Sequence, residues 1–176
     1  MTPTAYKYLD IGISVGPISF VELAIGDNRG NQIILHYEPW RTLLQRRADI
    51  ERLMQTHAAT PMTVCNLTIQ MVNIRDQPIV KLTSHDTRMY MKPSTIIFLF
   101  EVASCVEHVY YQLYQNIHAV TEKYKYFVSH LRRNCVNNKC DAMKLLREIY
   151  DKTSPIDCEF IVYASDNIVY DALHEQ

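Results

Sequence analysis

Two stretches of the chain, residues 8–54 and 64–114, follow the same order of predicted elements. Each runs through two extended segments joined by a turn, then a short polar turn, a short apolar strand and a proline that opens a helix. The closest correspondence is between Leu35–Trp40 and Met89–Ser94, whose prolines Pro39 and Pro93 are 54 positions apart. An internal repeat constrains the architecture of a chain more strongly than any single motif does. Each copy is too small to bury both a sheet and a helix by itself, so we expect the two copies to close on each other.

The predicted fold class is therefore α+β. We expect two tandem antiparallel sheet-plus-helix units that form an intrachain pseudo-dimer, followed by a helical and β C-terminal extension. The first unit is placed at residues 1–56, the second at residues 62–134 and the extension at residues 135–176. Residues 1–134 are expected to form one compact body.

The strands of each copy are predicted from alternating apolar residues or from runs of β-branched residues. In the first copy Gly26–Gly30 gives the clearest hairpin signal, because it combines two glycines with Asp and Asn. Pro39 is placed at the first helical position, where its missing N–H has no intrahelical partner. The predicted strands are Tyr6–Ile13, Ile18–Ile25 and Gln32–Tyr37 in the first copy, and Val64–Val72, Ile79–Thr83 and Arg88–Met91 in the second.

The second helix is predicted to be much longer than the first. From Ile96 to Leu131 apolar residues recur at alternating steps of three and four, a heptad pattern of about five repeats. An unbroken helix over this segment would be roughly 50 Å long. Because charged residues are sparse before Asn116, we expect the first half to be buried and the second half exposed, with a break near Gln115 as an alternative.

The segment after residue 134 has no counterpart in the first copy. Asp141 is predicted to cap a helix that runs to Asp151. Glu159–Ala164 predicts a strand, and Ile168–Leu173 predicts a short strand or a helical turn. The C-terminal extension is thus expected to mix helix and β structure.

Charge and composition limit the possible functions. The net charge of −1, from 18 basic and 19 acidic residues, argues against strong nucleic-acid binding, although a local basic face can coexist with acidic residues elsewhere. No run of about 18 apolar residues occurs, so no membrane span is expected. Five cysteines without dense spacing predict free thiols in a reducing compartment, the nucleus or the cytoplasm. Cys65 and Cys105 lie in apolar stretches and are expected to behave as small hydrophobic residues.

Neither a metal site nor an active site is predicted. Cys135 and Cys140, with His130 and Cys158, are residue types that bind zinc, but their spacing is not that of a standard zinc finger. The sequence contains no glycine-rich phosphate loop, no paired-carboxylate motif and no nucleophile elbow. We therefore expect a protein without cofactors that is not an enzyme.

The segment Gln32–Leu43 resembles the strand-to-helix joint of the positive-cofactor-four family of single-stranded-DNA-binding transcriptional coactivators. In that joint a short apolar strand leads through a proline-containing turn into a helix with an early tryptophan, here Trp40, followed by leucines. The Whirly and PUR-repeat proteins are similar in layout. The resemblance covers about residues 6–55 and, more weakly, residues 64–114. It implies curved sheets, an intrachain pseudo-dimer and non-catalytic binding of single-stranded nucleic acid across the sheet faces, in transcription or replication.

Binding of nucleic acid on a sheet face requires cations for the phosphates and aromatic rings on which bases stack. Such residues are few here, and Ser94 stands in the second copy where Trp40 stands in the first. The alternative interpretation is that the candidates are scattered residues on a solvated face. The candidate nucleic-acid-binding residues are Lys7, Tyr8, Arg29, His36 and Tyr37 in the first copy and Arg75, Lys81, Arg88, Tyr90 and Lys92 in the second.

A different function is suggested by the near-neutral charge and the long second helix. A structural or assembly protein, for example of a virus particle, would bind a protein partner or a second copy of itself through that helix. Aromatic residues are enriched at protein interfaces, and the tyrosine-rich, glycine-poor composition resembles that of large-DNA-virus proteins. The tyrosines would otherwise belong to the chain's own core; they are Tyr110, Tyr111, Tyr114, Tyr124 and Tyr126.

Overall fold

The computed structural model describes residues 6–56 and 60–174. Two antiparallel sheets and a set of helices confirm the α+β class. A π-helical turn, Phe160–Ala164, joins the last two helices. The elements are β1 (Lys7–Ser14), β2 (Phe20–Asp27), β3 (Gln32–Leu35), α1 (Tyr37–Gln45), α2 (Arg47–Thr56), β4 (Met62–Val64), β5 (Leu67–Ile74), β6 (Gln77–Ser84), β7 (Thr87–Met91), α3 (Pro93–Glu101), α4 (Ala103–Arg133), α5 (Lys139–Ile149), α6 (Pro155–Glu159) and α7 (Ser165–His174).

Residue contacts divide the chain into two compact units. The larger unit consists of the residues up to Gly12 together with Val21–Leu113. It holds most of both sheets, α1 to α3 and the beginning of α4. The smaller unit consists of Ile13–Phe20 together with the residues from Tyr114 onward. Helix α4 therefore contributes residues to both units.

The first sheet has the strand order β1-β2-β3 and the second the order β4-β5-β6-β7. In the second sheet each strand is joined to the next by a two-residue turn, and the sequence had not indicated β4 as a separate strand. Tight hairpins of this kind require positive φ in the turn. The backbone meets this requirement at Cys65, Arg75, Asp76 and His85, whose φ angles lie between 50° and 58°.

One hydrophobic core serves the whole larger unit. Apolar residues from both sheets, such as Leu23 and Leu82, meet residues of the first three helices there. Trp40 is fully buried in this core. Its indole Nε1–H has no hydrogen-bond partner among the described residues, so its contribution to stability comes from packing alone.

The two strand-to-helix joints match at an offset of 56 residues, not at the 54 suggested by the prolines. At this offset β3 and the last four residues of β7 show the same alternation of exposed and buried side chains. The buried residue equivalent to Trp40 is then Ile96, and Ser94 is exposed. The second copy thus keeps an apolar anchor at this place in the helix, although it lacks the tryptophan.

The first helix of each copy is interrupted at the same place. His36 and Lys92 are the extended residues that precede α1 and α3, and the breaks fall at Arg46 and Val102, the tenth residue after each. The single helix that Pro39 was predicted to open is therefore two helices, α1 and α2. Pro39 is the third residue of α1, which is still within the first turn, where backbone N–H groups lack intrahelical partners.

The long second helix is bent by 52° at the break between α3 and α4. The break occurs at Val102 and not near Gln115, where the chain is regular helix. The bend keeps Phe100 and Val106 in the same core, which explains why the helix does not run straight. Among the described helices none is long and apolar enough by itself to cross a membrane, and α3 with α4 meets that test only as a bent pair.

Burial along the long second helix follows the prediction only at its beginning, where Ile96, Leu99, Phe100 and Val106 are buried. Between Glu107 and Ala119 the helix has no fully buried residue. Its second half is buried, because α5, α6 and α7 fold back onto it and form the core of the smaller unit. The α4 residues in this second core are Val120, Tyr124, Phe127, Val128 and Leu131.

The described part of the C-terminal extension consists of helices and connecting loops without a strand, so the strand predicted at Glu159–Ala164 was wrong. Ser154 caps α6 by accepting a hydrogen bond from the Asp157 amide, and Pro155 is the first helical residue. The preference of the Ile161–Tyr163 run for strand is overridden by tertiary packing. The apolar residues of this segment recur at helical spacing and enter the second core; they are Phe160, Ala164, Ile168, Val169 and Ala172.

Two further details of the extension depend on polar side chains. Helix α5 begins at Lys139 and not at Asp141, because the Asn138 side chain accepts a hydrogen bond from the Asp141 amide. Asp157 is 1% exposed, and its carboxylate lies 2.9 Å from the Lys123 ammonium. This ion pair links α6 to α4.

We expect Phe127→Ser to lower the free energy of unfolding by about 3–5 kcal/mol. Phe127 is fully buried and packs edge-to-face on Phe160, with ring centroids 5.6 Å apart. Denaturant unfolding followed by far-ultraviolet circular dichroism measures the loss. The control is Tyr126→Ser at the neighbouring position, which is 47% exposed and should cost less than about 1 kcal/mol. Equal effects of the two changes would contradict this packing.

Candidate nucleic-acid interface

The four-stranded sheet has one buried face and one exposed face. Along β6, Leu82 and Ser84 are buried, whereas Lys81 and Thr83 are half-buried. Side chains alternate between the two faces of a strand, so Lys81 and Thr83 point away from the core. We call the face that carries them the outer face.

The strand register brings three of the predicted residues together on the outer face. Lys81 lies directly opposite Tyr90 on one side and opposite Gln70 on the other. Arg88 lies opposite Thr83, two residues from Tyr90 along β7. Directly opposite residues of an antiparallel pair have Cβ atoms about 4.5–5.5 Å apart. The outer face therefore combines two cations, one aromatic ring and polar side chains within a small area.

This sheet carries no carboxylate. No Asp or Glu occurs in β4, β5, β6 or β7, and Asp76 and Asp86 fall in the turns between strands. Arg75 is in one of these turns, and Lys92 follows the end of β7. The near-neutral charge of the whole chain is thus unevenly distributed. Residues 62–92 contain two carboxylates against four cations, Arg75, Lys81, Arg88 and Lys92.

Lys7 does not lie on a solvated face, contrary to its selection as a phosphate-binding residue. It is 5% exposed, and its ammonium is 3.1 Å from the Asp27 carboxylate, which is equally buried. Burial by itself would raise the pKa of Asp27, but hydrogen bonds from the side chains of Asn31 and Lys7 and from the Arg29 and Asn31 amides lower it to about 2. Asp27 is therefore ionised at neutral pH and forms a structural ion pair with Lys7.

Arg29 and His36 lie apart from each other in the first sheet. Arg29 is exposed in the hairpin before β3, and His36 is exposed after the end of β3. Asp10 and Glu22 point away from the core on the neighbouring strands. The first sheet therefore does not offer an acid-free basic face like that of the second sheet.

Tyr8 packs on the backbone of its own sheet. A Cβ atom placed on Gly26 would overlap the Tyr8 ring, so glycine is required at this point of β2. The ring is half-buried. Its position is explained by contact with the strand, without any ligand.

Tyr37 is a helical residue and not part of a sheet face. Its ring stacks on that of Tyr110 with centroids 4.1 Å apart, and its hydroxyl is 3.2 Å from the Tyr111 hydroxyl. That hydrogen bond, together with burial, raises the pKa of Tyr37 to about 12. Tyr37 thus connects α1 with α4 inside the larger unit.

The sequence had not indicated Thr68, Gln70 and Thr83 as part of the interface. All three are half-buried residues of the outer face. The alternation along β5 and β6 would have found them, because each lies between two buried positions. They add hydroxyl and amide groups that can hydrogen-bond to bases or sugars.

The cysteines do not form a metal cluster in the part of the chain that the structure describes. No three His, Cys, Asp or Glu side chains converge there to hold an ion. All five cysteines are free thiols. Cys65 and Cys105 are exposed, in a turn and on α4, so the prediction that they behave as hydrophobic residues was wrong.

Comparisons of the chain with protein-family models, with curated proteins and with solved structures gave no match. The resemblance to the positive-cofactor-four joint therefore stays a prediction.

We expect Asp27→Asn to lower the free energy of unfolding by about 3–5 kcal/mol at neutral pH, because the Lys7 ammonium would remain buried without its counter-charge. The folded-state pKa of about 2 lies below the ordinary value of 3.8. The stabilisation from ionised Asp27 is therefore present above about pH 4 and is lost as the pH falls toward 2. The difference between wild type and variant should shrink over that range.

Denaturant unfolding followed by the fluorescence of Trp40, the single tryptophan, measures this difference. The matched control is Asp10→Asn, an exposed carboxylate on the same sheet, which should change stability by less than about 0.5 kcal/mol. A difference between wild type and Asp27→Asn that does not depend on pH would contradict the ion pair.

Proposed function

We propose that the larger unit binds single-stranded nucleic acid, without catalysis, across the outer face of the four-stranded sheet. The observation that supports this is the pairing of Lys81 with Tyr90 and of Thr83 with Arg88 on strands that contain no carboxylate. Phosphates are attracted to such a face, and no acidic side chain of its strands repels them.

Each side chain of the outer face has a separate role in this proposal. Lys81 and Arg88 neutralise phosphates and release their counterions, so binding weakens as salt rises. Tyr90 is 43% exposed and offers its ring to an unpaired base, an interaction worth about 1–3 kcal/mol. Gln70 and Thr68 donate or accept hydrogen bonds without selecting one base. Because Tyr90 is the sole aromatic residue in these four strands, we expect moderate affinity and weak sequence preference.

The expected preference for single strands follows from the stacking of an unpaired base on the Tyr90 ring. A base within a duplex is stacked on its neighbours and cannot also stack on Tyr90. A single strand exposes its bases as well as its phosphates, and both are used in sheet-face recognition. Duplex DNA would gain only the phosphate contacts.

The pseudo-dimer is part of the same proposal. It is supported by the shared core of the larger unit, by the 56-residue offset of the two joints, and by contacts of α2 with α3 and of β3 with β7. The two copies have diverged, because the second sheet has the acid-free basic face while the first has Asp10 and Glu22. Binding is therefore assigned to the second copy, with the first copy completing its core.

Fluorescence anisotropy with labelled single-stranded and double-stranded oligonucleotides tests the binding face. We expect Tyr90→Ala to weaken single-strand binding by about 5-fold to 100-fold. Changing both Lys81 and Arg88 to Gln should reduce the slope of log affinity against log salt by about 1.4. The matched control is Arg29→Gln, an exposed cation of the first sheet, which should leave binding unchanged.

Trp40 fluorescence verifies that each of these variants is folded. Binding of wild type that is undetectable at micromolar protein and low salt would reject the proposal. Equal losses for Arg29→Gln and for Tyr90→Ala would show that the interface is not the outer face.

A second candidate function is self-assembly through the middle of α4. Over Glu107–Ala119 no side chain is fully buried. Two large aromatic side chains of this segment, Tyr111 and Tyr114, are 55% and 58% exposed. Tyr124 is buried in the smaller unit, so it belongs to the core and not to this surface. An exposed aromatic helix segment of this kind suits an interface with a second copy of the chain.

Light scattering as a function of protein concentration tests the second candidate. If the middle of α4 mediates association, the double change Tyr111→Ser and Tyr114→Ser should lower the measured mass toward that of one chain. Tyr163→Ser, at an 80% exposed position of the smaller unit, is the control and should leave the mass unchanged. A wild-type mass of one chain at all concentrations would exclude self-assembly.

A further inference from the structure

A cavity of about 230 Å³ lies within the larger unit, beside β1 and the bend between α3 and α4. Phe98, at 38% exposure, is the most exposed residue of its lining. The cavity is distinct from the outer face, because Met91 lines it while the adjacent Tyr90 points the opposite way. The apolar walls include Leu9, Ile25, Met91, Phe98, Leu99 and Val106.

The polar groups of the lining bring no net charge. Among the residues that the structure describes, Lys7 is the only charged one that lines the cavity, and its ammonium is paired with the buried Asp27 carboxylate. Tyr8 and Thr95 supply hydroxyl groups. A charged ligand would have to leave water without a counter-charge, which is costly. The lining therefore selects for an uncharged molecule.

The size of the cavity sets the size of its ligand. Protein interiors are packed closely, and voids larger than a water molecule are few. An apolar cavity of about 150 Å³ is large enough to bind benzene, so this one has room for a single ring with a short substituent. Val102, where the helix bends, also lines the cavity. The cavity therefore lies against the bend between α3 and α4.

We propose that this cavity is a binding site for a small uncharged apolar molecule, of the size of a substituted aromatic ring. Binding is driven by removal of apolar surface from water on both partners. Tyr8 and Thr95 are the uncharged polar residues of the cavity lining. This site is independent of nucleic-acid binding, and either can exist without the other.

Thermal unfolding with toluene as the probe, followed by Trp40 fluorescence, tests the site. Trp40 lies in the core of the larger unit, so its signal reports the unit that contains the cavity. A ligand that binds only the folded state raises the unfolding midpoint, by about 4 °C or more at ten times its Kd. No rise for wild type in toluene-saturated buffer would overturn the proposal.

Filling the cavity should abolish the toluene effect. Val106→Phe places a larger side chain in the space, and Thr95→Leu fills it from a half-buried position that tolerates change more easily. The matched control is Val109→Phe, one turn along α4 and outside the lining, which should keep the wild-type response. Loss of the response in either folded filling variant, with the control unaffected, supports the site. A response retained in every filling variant that folds would overturn it.

Discussion

Burial of the inner faces of both sheets against α1, α2 and α3 holds the larger unit together. Trp40, after the first strand-to-helix joint, and Ile96, after the second, are both buried in this core. Because the inner faces are used for packing, each sheet has only its other face available for recognition. The outer face of the second sheet is thus determined by the core, since the residues that alternate with the buried ones must point to solvent.

The two sheets use their charged residues in different ways. In the first sheet Lys7 forms a buried ion pair with Asp27, and this pair has a structural role. In the second sheet the cations remain on the outer face beside Tyr90. In the smaller unit Asp157 and Lys123 likewise form an ion pair with a structural role. Buried pairs of this kind restrict which residues can act on a ligand.

The hairpins and the common face of Lys81, Arg88 and Tyr90 could be predicted because they depend on local patterns. Alternation places Lys81 and Tyr90 on one face whatever the rest of the chain does. The burial of Lys7 could not be predicted, because it depends on Asp27 reaching it from the neighbouring strand. The helical state of Glu159–Ala164 depends likewise on a long-range contact: Phe160 packs on Phe127, and that packing outweighs local strand preference.

The π-helical turn at Phe160–Ala164 has a consequence for how this chain can vary. A π-helical turn holds one residue more than an α-helical turn, so it rotates all that follows by about 100°. That rotation is what brings Ile168 and Val169 to the second core while Val162 and Tyr163 face outward. Val162 and Tyr163 face outward, so they can be exchanged without changing the second core. Deletion of one residue would instead rotate α7 and turn Ile168 and Val169 away from that core. The packing of α7 therefore constrains the length of this segment more strictly than its composition.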